Sequence, residues 1–183
     1  HPANPPDDAR ASADLAAMAE RAARRGLRIG YEALSWGRQV RRWRDAWRIV
    51  QLADHPALGL IVDSFHTLAL ADDPAGIAAV PAAKLFFVQL ADAPDLGMDV
   101  LSWSRHFRNF PGQGHLPVAD FLREVLAGGY RGPLSLEVFN DEFRAAPARL
   151  IARDGLRSLL LVEAAAGATT LPPPPQFNGV EFI

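Results

Sequence analysis

Residues 57–66, ALGLIVDSFH, decide the fold. An unbroken apolar run ends at Asp63, and His66 follows three positions later. Hydrophobicity without polar alternation marks a strand buried on both faces, as in parallel sheets. In such sheets ligands gather beyond the carboxyl ends of the strands, so a carboxylate at that end is either a loop anchor or part of a site.

The pattern recurs on both sides. Upstream, LRIGYEAL places Glu32 near the end of a short strand. Downstream, AKLFFVQLAD ends near Gln89 and GPLSLEVFND near Glu137. Helical patterns separate these runs. Ser12 is a candidate cap for a helix through AMAERAARRG, with Gly26 as its stop. In QVRRWRDAWRIVQLAD, Val40, Trp43, Trp47, Val50 and Leu52 recur at roughly helical spacing, with arginines on the wet side. A stretch rich in Ala and Leu follows Asp63, and residues 92–116 read as a long irregular segment. PVADFLREVLAGGY is a helix opened by Pro117 and closed by Gly128-Gly129, and PARLIARDGLRSLLLVEAA is the last helix. Four strand–helix repeats predict an α/β fold with a helix-covered parallel sheet, open to both doubly wound and (β/α)8 forms. No GxGxxG or GxxxxGKS/T follows any strand, so nucleotide binding of those kinds lacks support.

Composition bounds the function. The 183 residues are 49% hydrophobic and 22% charged, a globular balance that excludes overall disorder. No apolar run reaches the ~18–20 residues of a membrane span. With 21 acidic and 19 basic residues the net charge is −2, so no nucleic-acid partner is expected. The absence of Cys rules out disulfides and thiolate-held metals and is compatible with a cytoplasmic location. The chain opens on His1-Pro2 without Met and stops in the apolar Glu181-Phe182-Ile183, so both ends read as cuts.

Glu32, Asp63, Gln89 and Glu137 are therefore the candidate constellation. Burying an ionised carboxylate is costly unless it is paired or binds a cation. Any one of these residues is most simply a loop anchor. Four on consecutive strands favour a shared divalent metal, and an all-oxygen set suits Mg²⁺, with Mn²⁺ or Co²⁺ as alternatives.

The segments YEALSWGR, VDSFH, VQLADAP, SRHFRNFPGQG and LSLEVFND resemble the bacterial 3-dehydroshikimate dehydratases, members of the sugar phosphate isomerase/epimerase superfamily with xylose-isomerase-like (β/α)8 barrels. The resemblance covers residues 13–165. It implies that the chain is the C-terminal half of such a barrel over residues 1–167, and that Glu32, Asp63, Gln89 and Glu137 hold the metal. Gln89 in place of a more common His resembles the branch fused to a 4-hydroxyphenylpyruvate dioxygenase-like domain. Residues 168–176 (ATTLPPPPQ) then form a Pro-rich linker, and 177–183 (FNGVEFI) the start of that second domain.

The implied substrate is a small hydroxy-keto acid, 3-dehydroshikimate, and the product protocatechuate. The reaction removes the proton α to the ketone and expels the β-hydroxyl, with metal-stabilised enolate charge. His66 is the candidate proton donor to the leaving hydroxyl, with Glu137 or Glu32 as base. Arg108 is the candidate grip on the substrate carboxylate, assisted by Ser104. A ketose epimerase or isomerase on the same barrel is the first competing reading. The second is a non-catalytic fragment, since four strands cannot close a barrel and the N-terminal half is needed. An isolated half-barrel is also expected to pair with another copy through its open edges.

Overall fold

The computed structural model describes residues 7–171 and 173. Helix α1 (Asp8–Ala23) leads to β1 (Ile29–Glu32), α2 (Trp43–Ala53) and β2 (Leu58–Asp63). A short α3 (Ser64–Leu68) and two 3-10 turns precede β3 (Leu85–Leu90). Then come α4 (Val100–His106), α5 (Val118–Ala127), β4 (Leu134–Leu136), α6 (Asp141–Ala145) and α7 (Ala148–Ala165). The four strands form one parallel sheet in the order β1-β2-β3-β4, an arc of a barrel wall. Among the described residues no helix is long and apolar enough to cross a membrane. Of the expected Pro-rich linker at 168–176, residues 172 and 174–176 lie outside the described residues, and the expected second-domain start at 177–183 lies wholly outside them.

Register places the site residues on one face. Glu32 pairs with Ile61, and Asp63, two positions on, pairs with Gln89. Gln89 pairs with Ser135, two positions before Glu137, whose N–H extends the ladder to the Leu90 carbonyl. Because strand side chains alternate with period two, all four polar residues project from the face opposite the helices. Leu60, Val62, Val88 and Leu90 point the other way, into a core with Trp43, Ile49, Phe121, Leu122, Val125 and Val162. Neighbouring strands also meet closely. A Cβ on Gly59 would lie 2.6 Å from the Lys84 carbonyl oxygen, so only glycine fits.

Several local expectations change. Asp7, not Ser12, caps α1, accepting from the Ala9 N–H; Ser12 is buried within the helix and bonds back to the Ala9 carbonyl. In α2 the buried face is Trp43, Ala46, Ile49 and Val50, while Leu52 is 58% exposed. The Ala- and Leu-rich stretch after Asp63 forms only α3 and the short turns, not one helix. The segment 92–116 contains α4, started by Asp99, whose carboxylate accepts from the Leu101 and Ser102 N–H groups.

Candidate active site

Glu32, Asp63 and Glu137 converge at the carboxyl ends of β1, β2 and β4. With His66 they bring four ligand atoms within 4.8 Å of one another. Gln89 stands beside Asp63 in register. Glu32 Oε1 and Gln89 Oε1 are buried oxygens without a hydrogen-bond partner. Buried acceptors left idle cost free energy, so these two are the signature of a site built for something else to complete.

Asp63 is 2% exposed and works in two directions. Its Oδ1 caps α3, accepting from the Phe65 N–H (2.6 Å) and the His66 N–H (3.2 Å). Its Oδ2 accepts from Arg108 Nη1 at 2.9 Å. The cap also sets His66 in place, inside α3 and not on a loop as its position suggested. Burial is the largest influence on Asp63 and opposes its ionisation, but the Arg108 guanidinium, His66 and the hydrogen bonds from Glu137 and the His66 N–H together hold the carboxyl below its ordinary value.

Arg108 was expected at a substrate carboxylate; the structure shows its guanidinium already saturated. The residue is 0% exposed. Nε–H donates to the Ser104 carbonyl at 3.0 Å, and Nη1 to Asp63 and to both the carboxylate and the carbonyl of Glu137, each at 3.0 Å or less. Nη2 meets Ser104 Oγ at 2.7 Å and His66 Nε2 at 3.1 Å. Arg108 also lies 4.6 Å from the Phe65 ring centroid. Ser104, buried one turn earlier on α4, thus supports the arginine.

These contacts fix the state of His66. A guanidinium can only donate, so Nε2 accepts and the neutral ring carries its proton on Nδ1. That proton faces Ser35 Oγ at 3.0 Å. Burial, together with the charges of Arg108 and Arg105, pushes the imidazole down to about 4 against the pull of Asp63. His66 is therefore neutral at pH 7, where an ordinary histidine would be partly charged. Burial and the neighbouring Asp63 and Glu137 charges push the Glu32 carboxyl up to about 8. Burial and Asp63 likewise raise Glu137.

Sequence reading missed Ser35 and Asp92. Asp92 is 1% exposed just past β3. Its carboxylate accepts from the N–H groups of Ala93, Gly112, Gly114 and Leu116, and its backbone bridges Asn109. It folds the loop after α4 and so seats Arg108. A Cβ on Gly114 would collide with that carboxylate. No local signal marked either residue: Ser35 meets its partner 31 positions away, and Asp92 looks like any polar residue after a strand.

With all three ionised, the carboxylates of Glu32, Asp63 and Glu137 against one guanidinium leave two negative charges. A divalent cation is the charge that balances them, and the idle oxygens of Glu32 and Gln89 are suitable donors. The residues present fit such an ion.

The profile of the xylose isomerase-like TIM barrel family matches residues 1–161. The chain is 69% identical over 150 residues to the 3-dehydroshikimate dehydratase of Pseudomonas aeruginosa, covering 82% of this chain and 24% of that protein. It is 56% identical to the 3-dehydroshikimate dehydratase of Pseudomonas putida, covering 93% of this chain and 29% of that one. A solved xylose isomerase-like TIM barrel/4-hydroxyphenylpyruvate dioxygenase fusion protein superposes with a TM-score of 0.88 at 55% identity, over 96% of this chain and 30% of its own. The chain thus spans less than a third of the length of these relatives. Four parallel βα units with acidic residues at their strand ends are half of a (β/α)8 architecture, and this chain belongs to the xylose isomerase-like TIM barrel family.

Proposed function

We propose that this chain, within an intact eight-stranded barrel, dehydrates 3-dehydroshikimate to protocatechuate. The carrying observation is the strand-end cluster: three carboxylates, one saturated guanidinium and two idle oxygens around a neutral imidazole. The 3-dehydroshikimate dehydratases related to the chain at 56% and 69% identity give the reaction its name.

Glu32, Asp63, Gln89 and Glu137 would hold the divalent ion, with Mg²⁺ the first candidate for an all-oxygen set. When bound, it supplies Lewis-acid stabilisation of negative charge on the substrate's ketone oxygen. The chain's own residues handle the proton. His66 Nε2 serves as the acceptor once the substrate takes the place of the Arg108 Nη2–H that donates to it, because the ring is neutral and Nδ1–H is held by Ser35. It takes the proton from the carbon α to the ketone and, as imidazolium, returns it to the departing β-hydroxyl. One proton leaves carbon, one water leaves the ring, and tautomerisation completes the aromatic product. This modifies the donor role first expected for His66: it must accept before it donates. Asp63, whose charge pulls the imidazole's proton affinity upward, steadies the transient imidazolium.

Glu137 supports a second assignment of the base, since its side chain is 32% exposed and stands in the same cluster. Residues 177–183 are proposed as the start of a 4-hydroxyphenylpyruvate dioxygenase-like domain, on the strength of the fusion relative. The test is to incubate the full-length protein, stripped and reloaded with Mg²⁺, Mn²⁺ or Co²⁺, with 3-dehydroshikimate and follow aromatic absorbance. Metal-dependent formation of protocatechuate is the expected result. Epimerised ketose without any aromatic product would overturn the reading in favour of a sugar epimerase.

A further inference from the structure

We propose that Arg105 is the cation that recognises the carboxylate of the substrate, at the rim of the pocket. The substrate named by the dehydratase reading is an anion, and Glu32, Asp63 and Glu137 make the cluster at the strand ends acidic. Among the described residues the cation inside that cluster is Arg108, and it has every N–H directed at a protein acceptor. A carboxylate entering carboxyl-end first would meet net negative charge and no free donor.

Arg105 offers what Arg108 does not. It lies one helical turn before Arg108 near the end of α4, and it is exposed. Among the described residues it makes no hydrogen bond and no ion pair, so its five donors are free. Yet it is not adrift. Its guanidinium lies 5.7 Å from the Trp36 ring centroid and 5.4 Å from that of Phe139, within cation–π range of both. Trp36 in turn packs edge-on against His66 at 4.7 Å. Two aromatic faces therefore hold an unpaired cation above the proton-handling imidazole. That its charge is felt at His66 agrees with this placement.

The layout orients the ligand. Neutral oxygens point inward to the acidic cluster, and the carboxylate points outward to Arg105. A planar guanidinium meets a carboxylate through two parallel hydrogen bonds, which fixes the ring's rotation as well as its depth. Arg105 is thus a specificity-determining residue, and it separates carboxylated substrates from the neutral ketoses handled by other barrels of this shape.

This inference rests on the dehydratase reading for the identity of the ligand, so the test has two arms. In the first, kcat and KM for 3-dehydroshikimate are measured in the metal-loaded full-length protein with Arg105→Met and Arg105→Lys. Arg105→Met should raise KM about tenfold or more, the loss expected of a charge-assisted hydrogen bond, with kcat changed less than about threefold. Arg105→Lys should recover part of the loss. In the second, calorimetry compares binding of shikimate with that of its methyl ester. The wild type should prefer the carboxylate, and Arg105→Met should abolish the preference while metal affinity stays unchanged. An unchanged KM together with a preserved preference in Arg105→Met would overturn the proposal. So would loss of the preference in Arg108→Met alone. Absence of turnover by the wild type would fail the dehydratase reading, while the second arm would still decide whether Arg105 selects carboxylates.

Discussion

Asp92 and Glu32 are both acids just inside or beyond the ends of strands, and both are removed from most solvent. Asp92 satisfies its charge completely: four backbone N–H groups from its own loop surround it. Glu32 keeps a buried oxygen idle and faces two other carboxylates. The first arrangement is closed and holds a loop; the second is open and waits for a cation. A buried acid is informative about function only through the bonding capacity it has left over.

The strongest way to break this contrast is Asp63→Asn, which strips charge from the open cluster. Arg108 would then be buried with one fewer carboxylate, so stability should fall by roughly 3–5 kcal/mol and turnover by at least about a thousandfold. Denaturant unfolding and a rate assay in the full-length protein check both. Retained metal binding with near-normal turnover would show that Asp63 is only a helix cap.

Next in size is Asp92→Ala on the closed side. Orphaning its backbone donors should cost roughly 3 kcal/mol in chemical unfolding. The metal-titration endpoint of the protein that remains folded should not change. Loss of metal stoichiometry without loss of stability would reverse the assignment of the two acids.

Glu32→Gln sharpens the contrast through pH. In the metal-free protein the Glu32 carboxyl sits at about 8 against 4.5 unfolded, so the fold favours its protonated form. That stability is fully present below pH 4.5 and is lost as pH rises through 8. His66 runs the other way: held at about 4 against 6.5, it contributes stability above pH 6.5 that is lost as pH falls through 4. Between pH 6.5 and 8 the losses from Glu32 and from the likewise raised Glu137 are in play, and they share one sign. The metal-free wild type should lose melting temperature across that window, and Glu32→Gln should flatten the slope and gain a few degrees at pH 9. Parallel melting curves for the two proteins would refute the idle-carboxylate description.

The smallest effect expected is for Ser35→Ala, which removes the acceptor of the His66 Nδ1 proton. Turnover should fall about tenfold, and the ¹⁵N shifts of the imidazole should show a mixed tautomer where the wild type shows one. An unaltered spectrum would mean that Arg108 alone sets the ring's state.

The strand ends were legible in sequence because each is local: an apolar run, then one oxygen-bearing residue. Glu32, Asp63, Gln89 and Glu137 could therefore be chosen as a set, and the alternation of side chains puts them on one face. Arg108 was singled out, but its network was not visible, since its partners Asp63, His66 and Glu137 lie 45, 42 and 29 positions away and belong to other repeats. A short window sees an arginine in a polar loop and expects solvent or ligand. Helix α4 was hidden for a related reason. Its seven residues lie in a segment broken by Gly and Pro, and what holds it is a side-chain cap and the burial of Trp103 and Ser104. Arg105 and Ser35 carry no pattern of their own: Ser35 joins the cluster through its bond to His66, and Arg105 reaches it through Trp36, which packs on His66.

The sequential order β1-β2-β3-β4 bears on how the chain assembles. Each strand pairs with the one before it, but every pairing is parallel and spans a crossover, the longest from Leu90 to Leu134, so closing each one carries an entropic cost before its contacts form. The acidic cluster needs the last of these pairings. Until β4 docks, Glu137 is absent, and Arg108 lacks one of the two carboxylates that anchor it. Completion of the ion-pair network therefore coincides with arrival of the last strand. Any ion uptake that needs Glu137 is then expected to follow, and not precede, formation of the sheet, which stopped-flow metal binding during refolding would read.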